Sequence, residues 1–164
     1  MNKKRSIFNV MLFVAFAVLV AVDQLTKYLT VSSIPLYGEI PFIPGFMKFT
    51  YVQNTGAAFS ALEGMQWLFV VIFLVLTVLV ILEYFKFRLP FTNFERWLIA
   101  AVYGGGLGNM IDRVRCGYVI DMLETEFIVF PVFNVADCFI TCGCIALMIR
   151  LVFFNKDFWK DGKV

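Results

Sequence analysis

"FNVADCFITCGCIALMIRLVFF", residues 133–154, is a long apolar stretch that opens on an amide and a carboxylate, Asn134 and Asp137. Nearly everything after them suits hydrocarbon. At ~1.5 Å of rise per residue the stretch is long enough to cross a bilayer core of ~30 Å as a helix. An ionised group near hydrocarbon costs kilocalories, so Asp137 at the start of such a helix calls for a chemical reason.

Three further stretches, about 7–29, 67–85 and 97–113, have comparable length and composition. Backbone in lipid is satisfied only in helices and closed barrels, and barrel strands alternate where these runs are continuous. The chain is 61% hydrophobic and 16% charged, far more apolar than a soluble domain. These features predict an all-α membrane protein: four transmembrane helices with a small extracytoplasmic β-sheet, residues 1–164 forming one integral membrane domain. Lys3, Lys4 and Arg5 before the first run also fit a signal peptide, but the run leads into "DQLTKYL" without a small-x-small cleavage site. It reads as a span. The net charge of +2 gives no case for a nucleic-acid partner.

Lys and Arg set the orientation. Ten of the 14 fall in three places: Lys3, Lys4 and Arg5; Lys86, Arg88 and Arg96; and Arg150, Lys156, Lys160 and Lys163. Both termini and the middle loop are therefore expected in the cytoplasm, with residues 30–66 and 114–132 outside. Trp67 and Trp97 begin spans, as interfacial anchors do. In the outer segments, Pro35, Gly38, Pro41, Pro44 and Gly45 punctuate turns. "FMKFTYVQ" (46–53) and "YVIDMLETEFIVF" (118–130) carry strand character.

Most acidic residues fall on the outer side. Asp23 lies ~24 Å above the inner boundary, and Asp137 ~6 Å below the outer one. Asp112 closes the third span and Asp121 follows it closely. Four chain segments thus bring carboxylates to one level. Asp23 with Lys27, and Asn109 with Arg113, are spaced i, i+4; Asn134 and Asp137 are spaced i, i+3, so each pair can share a face. Asn54 begins a Gly- and Ala-rich return to the membrane. Lys27 suits either snorkelling or support of this cluster.

Histidine is absent and only Ser6, Ser32, Ser33 and Ser60 supply serine hydroxyls, none in a G-x-S-x-G context. Histidine-based triads and HExxH zinc sites are excluded. Two carboxylates sharing a proton can still activate water, the ionised one taking its proton and the neutral one donating to a carbonyl. That chemistry defines an aspartyl peptidase and calls for no metal and no cofactor. Cys138, Cys142 and Cys144 in the fourth stretch read as small apolar residues, and the Gly104–Gly108 pair reads as close helix packing.

"DQLTK" (23–27), "NTGAAF" (54–59), "GGLGNMIDR" (105–113), "VID" (119–121) and "FNVAD" (133–137) resemble, in order and spacing, the motifs of the lipoprotein signal peptidases, the bacterial type II signal peptidases. The resemblance spans Asp23 to Asp137. "VIDM" has Ile and Met where many relatives carry Val and Phe, an apolar exchange that leaves the match intact. The resemblance implies a multi-pass peptidase of the bacterial cytoplasmic membrane. Such an enzyme cuts signal peptides from diacylglyceryl-modified prolipoproteins just before the lipid-bearing cysteine, in contact with membrane lipid. It implies Asp121 and Asp137 as the catalytic pair. Asn54, Gly56, Asn109, Arg113 and Asn134 would line the site and hold substrate. Asp23 and Lys27 would support it, with Asp112 structural, and the cyclic peptide inhibitor globomycin would occupy it. The rival reading is a small four-helix proton-coupled transporter. Such sites sit near the bilayer midplane, where this chain places almost no polar groups.

Overall fold

The computed structural model describes residues 3–56, 62–83, 85 and 89–160. Part of the "NTGAAF" motif, residues 57–59, lies outside these, as do Lys86, Arg88 and Lys163. Helix α1, Lys3–Ser33, takes in the whole first apolar run and stops just before Ile34 and Pro35. A residue that precedes proline is pushed out of the helical region. Strands β1, Glu39–Ile43, and β2, Met47–Asn54, form a hairpin turned at Gly45, whose φ of 73° suits a residue without a Cβ. Helices α2, Gln66–Leu82, and α3, Asn93–Cys116, follow, and then strand β3, Val119–Thr125. Helix α4, Val135–Ile149, runs on through a π-helical turn, Arg150–Phe154, to the short α5, Lys156–Lys160.

The described residues are mostly helical, with one antiparallel three-stranded sheet ordered β1-β2-β3. Pro41 sits on the edge strand next to a register shift, where a missing N–H costs least. Among the described residues two helices, Arg5–Ser33 and Val135–Phe154, are long and apolar enough to cross a membrane, and α2 is a shorter apolar helix. Helix α3 has the length, but its glycines and the polar group from Asn109 to Arg113 dilute its hydropathy.

Burial runs opposite to that of a water-soluble fold. Val10, Phe13 and Val18 on α1, and Val71, Leu74 and Val78 on α2, are exposed. The largest fully buried side chains are Lys27, Glu95, Asn134, Asp23 and Asp121. Polar groups bury inward and apolar ones face outward, as lipid requires. A small apolar core of Ile34, Tyr51, Ile120 and Met122 sits where the sheet meets the end of α1.

Helix α3 packs against α1, α2 and α4. Its glycines permit this. A Cβ on Gly105 would lie 2.5 Å from the Ala136 carbonyl oxygen, and one on Gly108 would lie 2.3 Å from Asp23 Oδ2. Of the Gly104–Gly108 pair, Gly108 makes such a close approach, whereas Gly104 meets Phe16 and Leu19 at ordinary contact distance. At the start of α3, Thr92 and Glu95 form a capping box. Buried Glu95 also accepts from Asn155 Nδ2 at 2.7 Å, with Arg150 Nε 3.8 Å away. These contacts tie the end of the chain to the root of α3.

Candidate active site

Strand register delivers the first pair of site residues. Val52 stands opposite Asp121 and Asn54 opposite Val119. With side chains alternating at period two, Asn54 and Asp121 are diagonal neighbours on one face. Asn54 Nδ2 donates to Asp121 Oδ2 at 2.8 Å. Asp112, at the end of α3, accepts from the Ile120 backbone N–H at 3.2 Å, which fixes the strand that carries Asp121.

Helix α4 brings the second carboxylate. Asn134 is its N-cap and Asp137 its N3 residue, joined in a reciprocal capping box. Asn134 Oδ1 accepts from the Asp137 N–H at 2.9 Å, and Asp137 Oδ2 accepts from the Asn134 N–H at 3.1 Å. Asn134 therefore precedes the helix rather than lying within its first turn. That frees its amide Nδ2 to donate to Asp121 Oδ1 at 2.6 Å. One asparagine thus touches both carboxylates. Asn109 Nδ2 donates to the remaining Asp137 oxygen at 2.7 Å.

Beneath this layer lies an ionic one. Lys27 Nζ sits 2.9 Å from Asp23 Oδ2 and 2.8 Å from Asp112 Oδ2, and donates to Asn109 Oδ1 at 2.9 Å. At 1% exposure Lys27 is buried, not snorkelling. Asp23 Oδ1 also accepts from the Ala136 N–H at 3.1 Å, so α1 and the first turn of α4 are joined directly. The Lys27 ammonium holds the Asn109 carbonyl, which points the Asn109 amide at Asp137.

Asp121 and Asp137 line one cavity of about 470 Å³ with Asn54, Gly56, Asn109 and Arg113. Asn134, Asp23, Lys27 and Asp112 stand behind this wall. Asp121 is 1% exposed. Burial pushes its carboxyl up to about 7, with the charge of Asp137 adding to the rise and the donors Asn54 and Asn134 opposing it. Asp137 is half-buried, and both its oxygens accept from N–H donors at the N-terminus of α4. The pair therefore differs in environment, as a shared-proton acid and base require.

Two kinds of participant escaped the sequence reading. Gln24 bonds to Asp112, Asp23 and the Gly108 carbonyl, and Gln66 bonds to Arg113. An isolated glutamine at a helix face carries no signal of such a role. Cys138 is half-buried and Cys142 exposed, and both line the cavity. Their helical spacing faces both to the groove below Asp137. Among the described residues no cluster of three or more His, Cys, Asp or Glu could hold a metal ion.

The arrangement has solved counterparts. Two structures described as bacterial membrane enzymes superpose with TM-scores of 0.80 and 0.79, at 28% and 30% identity, each covering at least 88% of this chain and 92% of its own. The fold is that of these membrane enzymes. The description Signal peptidase (SPase) II matches residues 15–153. The lipoprotein signal peptidase of Enterococcus faecalis is 43% identical over 94% of both chains. That of Streptococcus pyogenes serotype M1 is 50% identical over 87% of this chain and 89% of its own. The chain belongs to the signal peptidase II family, whose members are proteases that remove signal peptides from prolipoproteins.

Proposed function

We propose that this protease is an aspartyl peptidase in which Asp121 and Asp137 share one proton. The observation that carries the reading is Asn134, whose side chain donates to the Asp121 carboxylate while its backbone N–H donates to the Asp137 carboxylate. Below about pH 7 the buried Asp121 holds the shared proton and Asp137 serves as the base. A water between them attacks the scissile carbonyl carbon. Its proton passes to Asp137, and Asp121 donates to the carbonyl oxygen. As the tetrahedral intermediate collapses, the carbonyl reforms and returns its hydroxyl proton to Asp121. The C–N bond breaks, and Asp137 protonates the leaving nitrogen. Both carboxyls end as they began, with no metal or cofactor in any step.

The substrate is a prolipoprotein carrying a diacylglyceryl group, cut just before the modified cysteine. A bound acyl chain draws that cysteine to the membrane surface, the depth at which Asp121 and Asp137 meet. Globomycin would fill the same cavity. The chain is one integral membrane domain with four spans, 7–29, 67–85, 97–113 and 133–154, and both termini in the cytoplasm. What supports the α3 span is its position against three other helices. Cysteine labelling should reach positions 40 and 125 from outside and position 160 from the cytoplasm. The central test is purified protein with a lipidated prolipoprotein and its unlipidated twin, in chelator. Cleavage of the lipidated form alone, before its modified cysteine, supports the reading; loss of activity restored by zinc overturns it.

A further inference from the structure

Gln66 begins α2, with its amide on the connection from β2 to α2. Its Nε2 donates to the Thr55 carbonyl oxygen, and its Oε1 accepts from Arg113 Nη1. The same guanidinium donates from Nη2 to the Gly56 carbonyl oxygen at 2.7 Å. One turn further along α2, the Phe69 ring lies 4.0 Å from the Arg113 guanidinium carbon. Arg113 thus donates to the Gly56 backbone and to the side chain that begins α2, which in turn holds the Thr55 carbonyl.

The consequence reaches Asn54. Its Oδ1 accepts from the Gly56 N–H at 2.9 Å, and its Nδ2 donates to Asp121. The backbone that Gln66 and Arg113 hold is therefore the backbone that aims Asn54 at Asp121. An amide is needed at position 66, because one end must accept from a guanidinium and the other must donate to a carbonyl.

We infer that Gln66 is a positioning residue for catalysis, clamping Thr55 and Gly56 against Arg113 so that Asn54 holds Asp121 in its working orientation. Gln66 touches neither carboxylate, so it acts through Asn54. The inference rests on the assignment of Asp121 as a catalytic acid.

Turnover of a lipidated prolipoprotein tests it, with rates expressed per active site after titration so that misfolded protein does not count. Gln66→Leu removes both bonds. Gln66→Glu keeps the acceptor for Arg113 but cannot donate to Thr55. A small misplacement of a catalytic group costs about tenfold to a hundredfold in rate, so Gln66→Leu should lower kcat by about tenfold or more, with KM within about twofold of wild type. Gln66→Glu should fall in between. Arg113→Lys keeps the charge but loses the two-pronged geometry. Combined with Gln66→Leu it should be scarcely worse than the poorer single variant, since both undo one clamp.

A Gln66→Leu enzyme whose kcat per active site stays within twofold of wild type overturns the inference. A rise in KM alone does so too, since it would make Gln66 a substrate contact. A fully active Asp121→Asn variant would instead remove the catalytic assignment beneath the clamp, and the two failures are distinguished by that variant.

Discussion

Asn134 donates to Asp121 across 2.6 Å and is at the same time the N-cap of the helix that carries Asp137. Helix capping and carboxylate alignment are performed by one side chain. An ordinary N-cap needs only an acceptor; here the donor half of the amide is used as well.

That double use can be separated. Asn134→Ser keeps a capping acceptor but has no group to reach Asp121. Asn134→Ala loses both. Loss of an N-cap costs ~1–2 kcal/mol, so only the alanine variant should lower the melting temperature markedly. Both should lose at least about tenfold in turnover. Equal activity of the serine variant and wild type would show that the bond to Asp121 is idle.

Lys27 is paired with two buried carboxylates, Asp23 and Asp112. Truncating one partner of a buried ionic group leaves uncompensated charge and costs ~3–5 kcal/mol. Lys27→Met should therefore be among the most destabilising single changes, seen as a fall in melting temperature and in the yield of folded protein. Asp112→Asn, which keeps an acceptor for Lys27 and for the Ile120 N–H, should cost less. A Lys27→Met protein as stable as wild type would contradict the ionic layer.

Asp121 gives pH a defined sign. Its carboxyl stands near 7 in the folded protein, against ~3.9 in an unfolded chain. From about pH 4 to 7 the folded state retains a proton that the unfolded state has released, so stability falls as pH rises through this window and levels off above it. Turnover should fall through the same upper limit, because the acid loses its proton. Asp137, Lys27 and Arg113 also face this group and blur the midpoint without reversing the sign. Melting temperature between pH 5 and 8 should drop more for wild type than for Asp121→Asn. An equal drop in both would place the titration elsewhere.

The parts of the site that were legible in the sequence are those where composition made a residue conspicuous. Asp23, Asn109, Asp112, Asn134 and Asp137 stand at the outer ends of apolar runs, where a polar group is costly and draws notice. The strand pair also showed, since 46–53 alternates and Asp121 sits in a β-branched context. Asn134 and Asp137 were read as neighbours on a helix face. The N-x-x-D spacing is equally that of a capping box, and the fold realises the latter. Gln24 and Gln66 stayed hidden because a neutral amide costs little in either setting and has no fixed spacing to its partners. The role of Cys142 stayed hidden because which face of a continuous apolar helix meets a groove depends on the tertiary packing of its neighbours.

The most direct measurement is turnover of a lipidated prolipoprotein by purified Asp121→Asn and Asp137→Asn, each beside a thermal melt. An amide cannot exchange the proton that the pair shares. Each variant should lose essentially all turnover while melting close to wild type, and the double variant should be scarcely worse than either single one, because the two act as a unit. Near-normal turnover in either folded variant would contradict the account, since that carboxyl would then be neither the acid nor the base.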